Sequence, residues 1–300
     1  MADLAIVDAH QHFWDLQRND YPWLRIEPPI PFRYGDYRAI RRNYLPPDYT
    51  ADSAGFRVAN TVHVEAEWNP ADPVGETRWL HDLHARYGLP TVIVAQAWLD
   101  RDDAAEVLGK QAAFPLVRGI RHKPRAAPSA ARVQRGAPGS MGDPKWRAGF
   151  ALLERLGLSF DLQTPYWHLA EARELAEAFP GITIILNHTG LPVDRSPEHL
   201  SAWYVAMKTL AQAPNVAVKI SGLGIRGQPW RTADNRRVVQ DTIALFGVER
   251  CMFASNFPVD GLVGNFATIY AGFQDIVHDL SSADQARLFH DNARRYYRIG

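Results

Sequence analysis

His10 and His12 stand two residues apart in "VDAHQH" (7–12), and "MFASNFPVD" (252–260) sets Asn256 and Asp260 near the other end of the chain. On a strand, that spacing sends two side chains to one face. Imidazoles crowded together call for a metal or an anionic ligand. Further groups capable of chemistry recur at the ends of short apolar runs: His63 and Glu65, Trp98, Arg121 or His122, Asp161 and Gln163, His188, then Lys219 and Ser221. Imidazole or carboxylate can take a proton from water, and guanidinium or ammonium can hold an oxyanion. Some of these residues also have structural readings. Asp161 can pair with Lys219, and Glu65 needs an Arg or His partner if buried. No G-x-S-x-G, G-x-x-x-x-G-K-[ST] or G-x-G-x-x-G motif is present, so serine hydrolases, P-loop NTPases and nucleotide-binding dehydrogenases lose their usual support.

The apolar runs that carry these residues are "LAIVDAH", "VANTVHVEA", "PTVIVAQAW", "LVRGIRH", "LSFDLQT", "ITIILNHTG", "VAVKISGL" and "RCMFASN". Most are followed by helical spacing, as at 75–87, 145–156, 168–179 and 234–246, with Asp143 before Pro144 as a cap. Alternation of this kind predicts a (β/α)8 barrel over 1–300 as one domain, with the polar strand ends gathered at its C-terminal mouth. Two connections exceed ordinary turns. Residues 13–55 are crowded with Trp, Tyr, Arg and Pro, including Trp14, Trp23, Arg33, Tyr34 and Tyr37, and residues 123–143 are rich in Ala, Pro, Arg and Gly. Both follow strand ends, so both are expected to form a lid over the substrate, with aromatic plugging of the barrel as the alternative for the first.

Thirty-three basic and 33 acidic residues cancel, and the longest basic block is "IRRN" (40–43), which excludes a nucleic-acid or anionic-membrane partner from the expectations. Small molecules remain as partners, with a homo-oligomer possible. The lone Cys251 leaves no internal disulfide and no thiolate cluster for structural zinc. No long uncharged apolar window and no leader-like N-terminus occur, so a soluble cytoplasmic protein is expected.

Taken in order, "IVDAHQHFWDL", "HVEAEW", "GIRH", "FDLQ", "ILNHTGLP", "KISGL" and "FASNFPVD" resemble the amidohydrolase superfamily. More specifically they resemble its lactonase-type branch (amidohydrolase family 2), which includes L-fuconolactonase and 2-pyrone-4,6-dicarboxylate lactonase. The resemblance implies a distorted barrel that hydrolyses a ring ester, with His10, His12 and His188 lining the site and Arg121 binding substrate oxygens. It also implies an acid at the end of strand 8, which ordinarily takes the proton of the attacking water. Asn256 stands there instead. An amide orients water but cannot accept its proton, and it is a poor anionic metal ligand. The expectation is therefore a lactone hydrolase that requires no metal, with His12, His188 and Arg121 at the carbonyl, Asn256 on the water, and Glu65, Asp260 or a neutral histidine as base. Trp98, His122, Asp161, Lys219 and Tyr34 are further substrate-binding candidates. The alternatives are a zinc-dependent hydrolase or decarboxylase using His10, His12 and His188, and a barrel that only binds a small acid or sugar.

Overall fold

The computed structural model describes residues 4–300. Eight strands form one parallel sheet in the order of the chain: β1 (Ile6–Gln11), β2 (Val58–Val64), β3 (Val92–Gln96), β4 (Val117–Arg121), β5 (Ser159–Leu162), β6 (Ile184–Leu186), β7 (Val216–Ile220) and β8 (Cys251–Phe253). Most are short apolar runs buried on both sides, as a parallel strand between core and helix layer must be. The ring closes just beyond β8. There the Asn256 N–H donates to the His10 carbonyl and the His12 N–H to the Phe257 carbonyl, each at 2.8 Å. The loop carrying Asn256 is therefore stitched to the strand carrying both histidines.

The predicted helices are present as Gly75–Tyr87, Pro144–Arg155, Leu169–Ala178 and Thr232–Phe246. Asp143 caps the second of these, accepting from the Lys145 N–H at 2.9 Å. Inside the barrel, Val7, Ala9, Val62, Val64, Val94 and Met252 pack against Tyr297 and Ile299 of the C-terminal segment, which closes the bottom. Strict alternation would then turn His10 away from Val7 and Ala9. Instead β1 takes three steps from Asp8 to Gln11 while β2 takes two from Thr61 to His63. This bulge reverses the alternation and lets His10 join His12 at the mouth.

The two long connections part company. Residues 13–55 fold over the mouth, where Trp14, Trp23, Phe32 and Arg33 face the opening, while Tyr21, Tyr37, Tyr44 and Tyr49 are buried as packing. Residues 123–143 do not form the second half of the lid. Beyond Lys123 they lie on the outer helices, with the Ala127 N–H donating to His168 Nε2 at 2.8 Å and Arg135 paired with Glu174. Their Ala, Pro and Gly content serves a surface course. Among the described residues no helix is long and apolar enough to cross a membrane.

Candidate active site

A cavity of about 390 Å³ opens at the C-terminal mouth, within the usual range for small-molecule sites. His12, Arg121, His188 and Asn256 line it below, and Trp14, Trp23, Phe32 and Arg33 line it above. Four of its lining residues hold left-handed backbone: Glu67 (φ 59°), His188 (57°), Leu191 (55°) and Asn256 (55°). Such conformations cost a non-glycine residue on the order of 1–3 kcal/mol each and tend to gather at functional sites. Asn is among the residues that bear this conformation best, so the turn after β8 suits Asn256 locally. Gly222 (φ 63°) supplies a further requirement, because a Cβ there would come within 2.5 Å of His188 Nδ1.

The hydrogen bonds fix how the imidazoles are used. His12 Nδ1 lies 2.6 Å from the Val64 carbonyl, which can only accept, so Nδ1 carries the proton. Burial first, and then the charge of Arg121, holds His12 well below the ordinary histidine range. Neutral His12 therefore presents a lone pair at Nε2, to which His10 Nε2, 3.2 Å away, donates. His10 Nδ1 is left buried without a partner. His188 stands 4.6 Å from His10 between ring centres and is also pushed well down, by burial and then by Arg33 and Arg121. Its Nδ1 meets Ser221 Oγ at 2.9 Å. If Nδ1 donates to Ser221, Nε2 is a lone pair that neither neighbouring imidazole occupies.

Glu65 is spent on Arg121. Its Oε1 accepts from Arg121 Nε at 2.5 Å, its carbonyl accepts from the same guanidinium, and its Oε2 accepts from the Glu67 N–H at 2.7 Å. A carboxylate so occupied is not a free base facing the mouth cavity. Arg121 NH1 also donates to Gln163 at 3.2 Å. Three of the five N–H donors of a guanidinium are thus engaged and the rest remain for a ligand. Arg33, which lines the cavity, has a buried Nε without a hydrogen-bond partner, pairs with Asp260 at 3.9 Å and lies 4.8 Å from the centre of the Tyr34 ring.

Asp260 lies behind the cavity lining. It accepts from Asn256 Nδ2 at 2.6 Å and from Tyr34 OH at 2.9 Å. Asn256 is left with its amide oxygen to offer the cavity. Tyr34 likewise supports Asp260 from behind and is not on the cavity lining. Burial raises Asp260 to about 6, against the lowering by Arg33 and the two hydrogen bonds. An acid raised on folding contributes stability that is present below about pH 4 and lost as pH rises through about 6. Asp260→Asn is accordingly expected to be about 3 kcal/mol more favourable for stability at pH 8 than at pH 4, at about 1.4 kcal/mol per pKa unit. Urea unfolding at the two pH values measures that difference.

Five residues singled out in the sequence face elsewhere. Asp161 and Lys219 form a fully buried 2.5 Å ion pair, with Tyr297 OH donating to Asp161 at 3.0 Å, and neither residue lines the cavity. Burial lowers Lys219 to about 8 despite Asp161. His122 turns to the helix side, where its Nδ1 accepts from the Leu99 N–H and Trp146 Nε1, both at 3.1 Å. Arg121 is therefore the β4 residue that faces the mouth. Trp98 stacks on His122 in an adjoining cleft. His63 is also turned outward, accepting from the Phe13 N–H at 3.1 Å and meeting Glu76. Among the site residues that strand ends do not reveal are Arg33, Glu67 and Lys123. Only the crowding of residues 13–55 hinted at the first.

The His10 and His12 nitrogens, 3.2 Å apart, would fit one edge of a zinc tetrahedron with bonds of about 2.0–2.1 Å. A third protein donor fails to join them. Among the described residues no group of three or more His, Cys, Asp or Glu is placed to hold a metal ion. Asn256 stands where an acid would complete the set, and Arg33, Arg121 and Lys219 all bear on the histidines as positive charges. The donor set does not fit a closed metal site.

The model of the family described as "Amidohydrolase" matches residues 7–299. An uncharacterized protein, y4mH, of Sinorhizobium fredii is 44% identical over the whole of both chains. The L-fucono-1,5-lactonase of Burkholderia ambifaria is 30% identical, covering 98% of this chain and 95% of that one. A crystal structure of an amidohydrolase from Burkholderia multivorans with bound zinc superposes with a TM-score of 0.80 at 23% identity, over 99% of this chain and 100% of that one, and so shares the fold. The chain belongs to the amidohydrolase family, in the branch that holds these lactonases, and is a hydrolase built on its (β/α)8 barrel.

Proposed function

We propose that this hydrolase opens a small polar lactone by direct attack of water, with His188 as the base. The observation that carries the reading is a buried neutral imidazole on the cavity lining beside two guanidiniums that still have donors to give. The substrate carbonyl lies against Arg121, and Arg33 holds a neighbouring hydroxyl or carboxylate. Asn256 accepts one hydrogen of the water through its amide oxygen. His188 Nε2 takes the other as the water oxygen bonds to the carbonyl carbon, and Arg121 balances the oxyanion. The ring C–O bond then breaks, and the proton on His188 passes to the departing ring oxygen, giving the hydroxy acid. Asp260 holds Asn256 and Glu65 holds Arg121, so both carboxylates act as positioning residues.

The test is hydrolysis of a panel of sugar aldonolactones and aromatic-pathway lactones, followed with a pH indicator on protein assayed for metal before and after chelation. Turnover of at least one lactone, unchanged within about twofold by chelation, is the expected result. Turnover abolished by chelation and restored by zinc would overturn the metal-free water attack. Tight binding of a lactone acid with no turnover would favour a binding protein.

A further inference from the structure

Beside the mouth cavity lies a second cleft of about 450 Å³ that the mechanism leaves unused. The two share Trp23, Glu67, Arg121 and Lys123, with the Glu67–Lys123 ion pair standing at their common boundary. A ligand bound at Arg121 therefore has somewhere to extend. The cleft's apolar wall consists of half-buried tryptophans from three separate connections, Trp23, Trp68 and Trp98.

Of its polar groups, Glu65 and Glu67 are taken up by Arg121 and Lys123, and Gln96 and Asp100 are the acceptors left with capacity to spare. Gln96 is 3% exposed, and its Nε2 donates to the Trp68 carbonyl at 3.3 Å, leaving Oε1 buried with no partner. An orphaned buried acceptor has given up its water without a replacement, so a ligand hydroxyl that reaches it recovers a desolvation penalty. Asp100 adds a carboxylate whose contact with His122 is a loose 3.9 Å. Aromatic walls with a few placed acceptors fit the carbon faces and hydroxyl donors of a sugar ring better than a bare aryl group, which would leave the acceptors unpaired.

We infer that this cleft is a second subsite for a hydroxyl-bearing ring attached to the lactone, making the preferred substrate class a glycosyl-substituted aldonolactone. The inference rests on the lactone reading for the chemistry, but not for the binding. The experiment compares kcat/KM for a 1,5-aldonolactone and for its hexosyl-substituted derivative. A preference of at least tenfold for the two-ring substrate is expected, falling toward one in Gln96→Leu and in Trp98→Ala. The readout is a ratio, so a variant that folds poorly lowers both rates and leaves it unmoved. A ratio at or below one in the unaltered protein overturns the proposal. Calorimetric titration with the two corresponding aldonic acids separates the failures. A tenfold preference for the hexosyl acid without turnover of either lactone upholds the subsite and discards the lactone reading, whereas equal affinities discard the subsite.

Discussion

Replacing His188 with asparagine is expected to lower kcat on any turned-over lactone by about 10² to 10⁴, the usual contribution of a general base. The substitution is chosen for the backbone. His188 sits at φ 57°, where asparagine is among the few residues that incur little added strain, so the fold should survive. The new side chain can still meet Ser221, but it cannot take a proton. KM should move little, since Arg121 and Arg33 remain. The pH dependence sharpens the test. His188 is held well below its ordinary range by burial and by Arg33 and Arg121, so it stays neutral and competent down to pH values at which an ordinary histidine is charged. Rate should therefore persist below pH 6.5, and the acid limb should disappear with the imidazole. Full turnover in His188→Asn would move the proton transfer to His12 and require the His10 donation to be broken first.

Much of this could be read along the chain. The eight apolar runs are the eight strands because period and length leave short buried segments few other uses, and the strand-end residues His12, Arg121, His188 and Asn256 do meet at one cavity. What the sequence could not carry is direction and the choice between possible partners. His10 reaches the mouth through a bulge that strict alternation does not contain. Arg121 and His122 were one residue apart, and only the pairing of β4 decides which of them faces inward. For Asp161 and Lys219 the sequence leaves two readings open, site residues or a pair, and the structure shows the pair. Glu65 likewise reads in sequence as either a base or the buried partner of an Arg or His, and the structure makes it the counter-ion of Arg121. Arg33 and Lys123 arrive from connections, where no periodicity announces which side chain will turn inward.

The Arg121–Glu65 pair carries the second large effect, and here stability and activity should separate. Both side chains are nearly inaccessible, at 4% each, and the charge of one is compensated by the other. Arg121→Met leaves Glu65 buried with its main partner gone, a change that typically costs about 3–5 kcal/mol. Glu65→Met strands the arginine in the same way. The double variant removes both charges and fills the space with side chains of similar length, so it is expected to recover most of the stability lost by either single variant. It should recover none of the activity, because the guanidinium that faces the substrate carbonyl is absent. Urea unfolding of the four proteins, together with kcat/KM on one lactone, gives both cycles at once. Glu65→Gln adds the remaining distinction. An amide still accepts from Arg121 through its oxygen, so if Glu65 only positions that arginine, the variant keeps its pH profile and loses rate modestly. A base at Glu65 would instead take the whole pH-dependent rate with it.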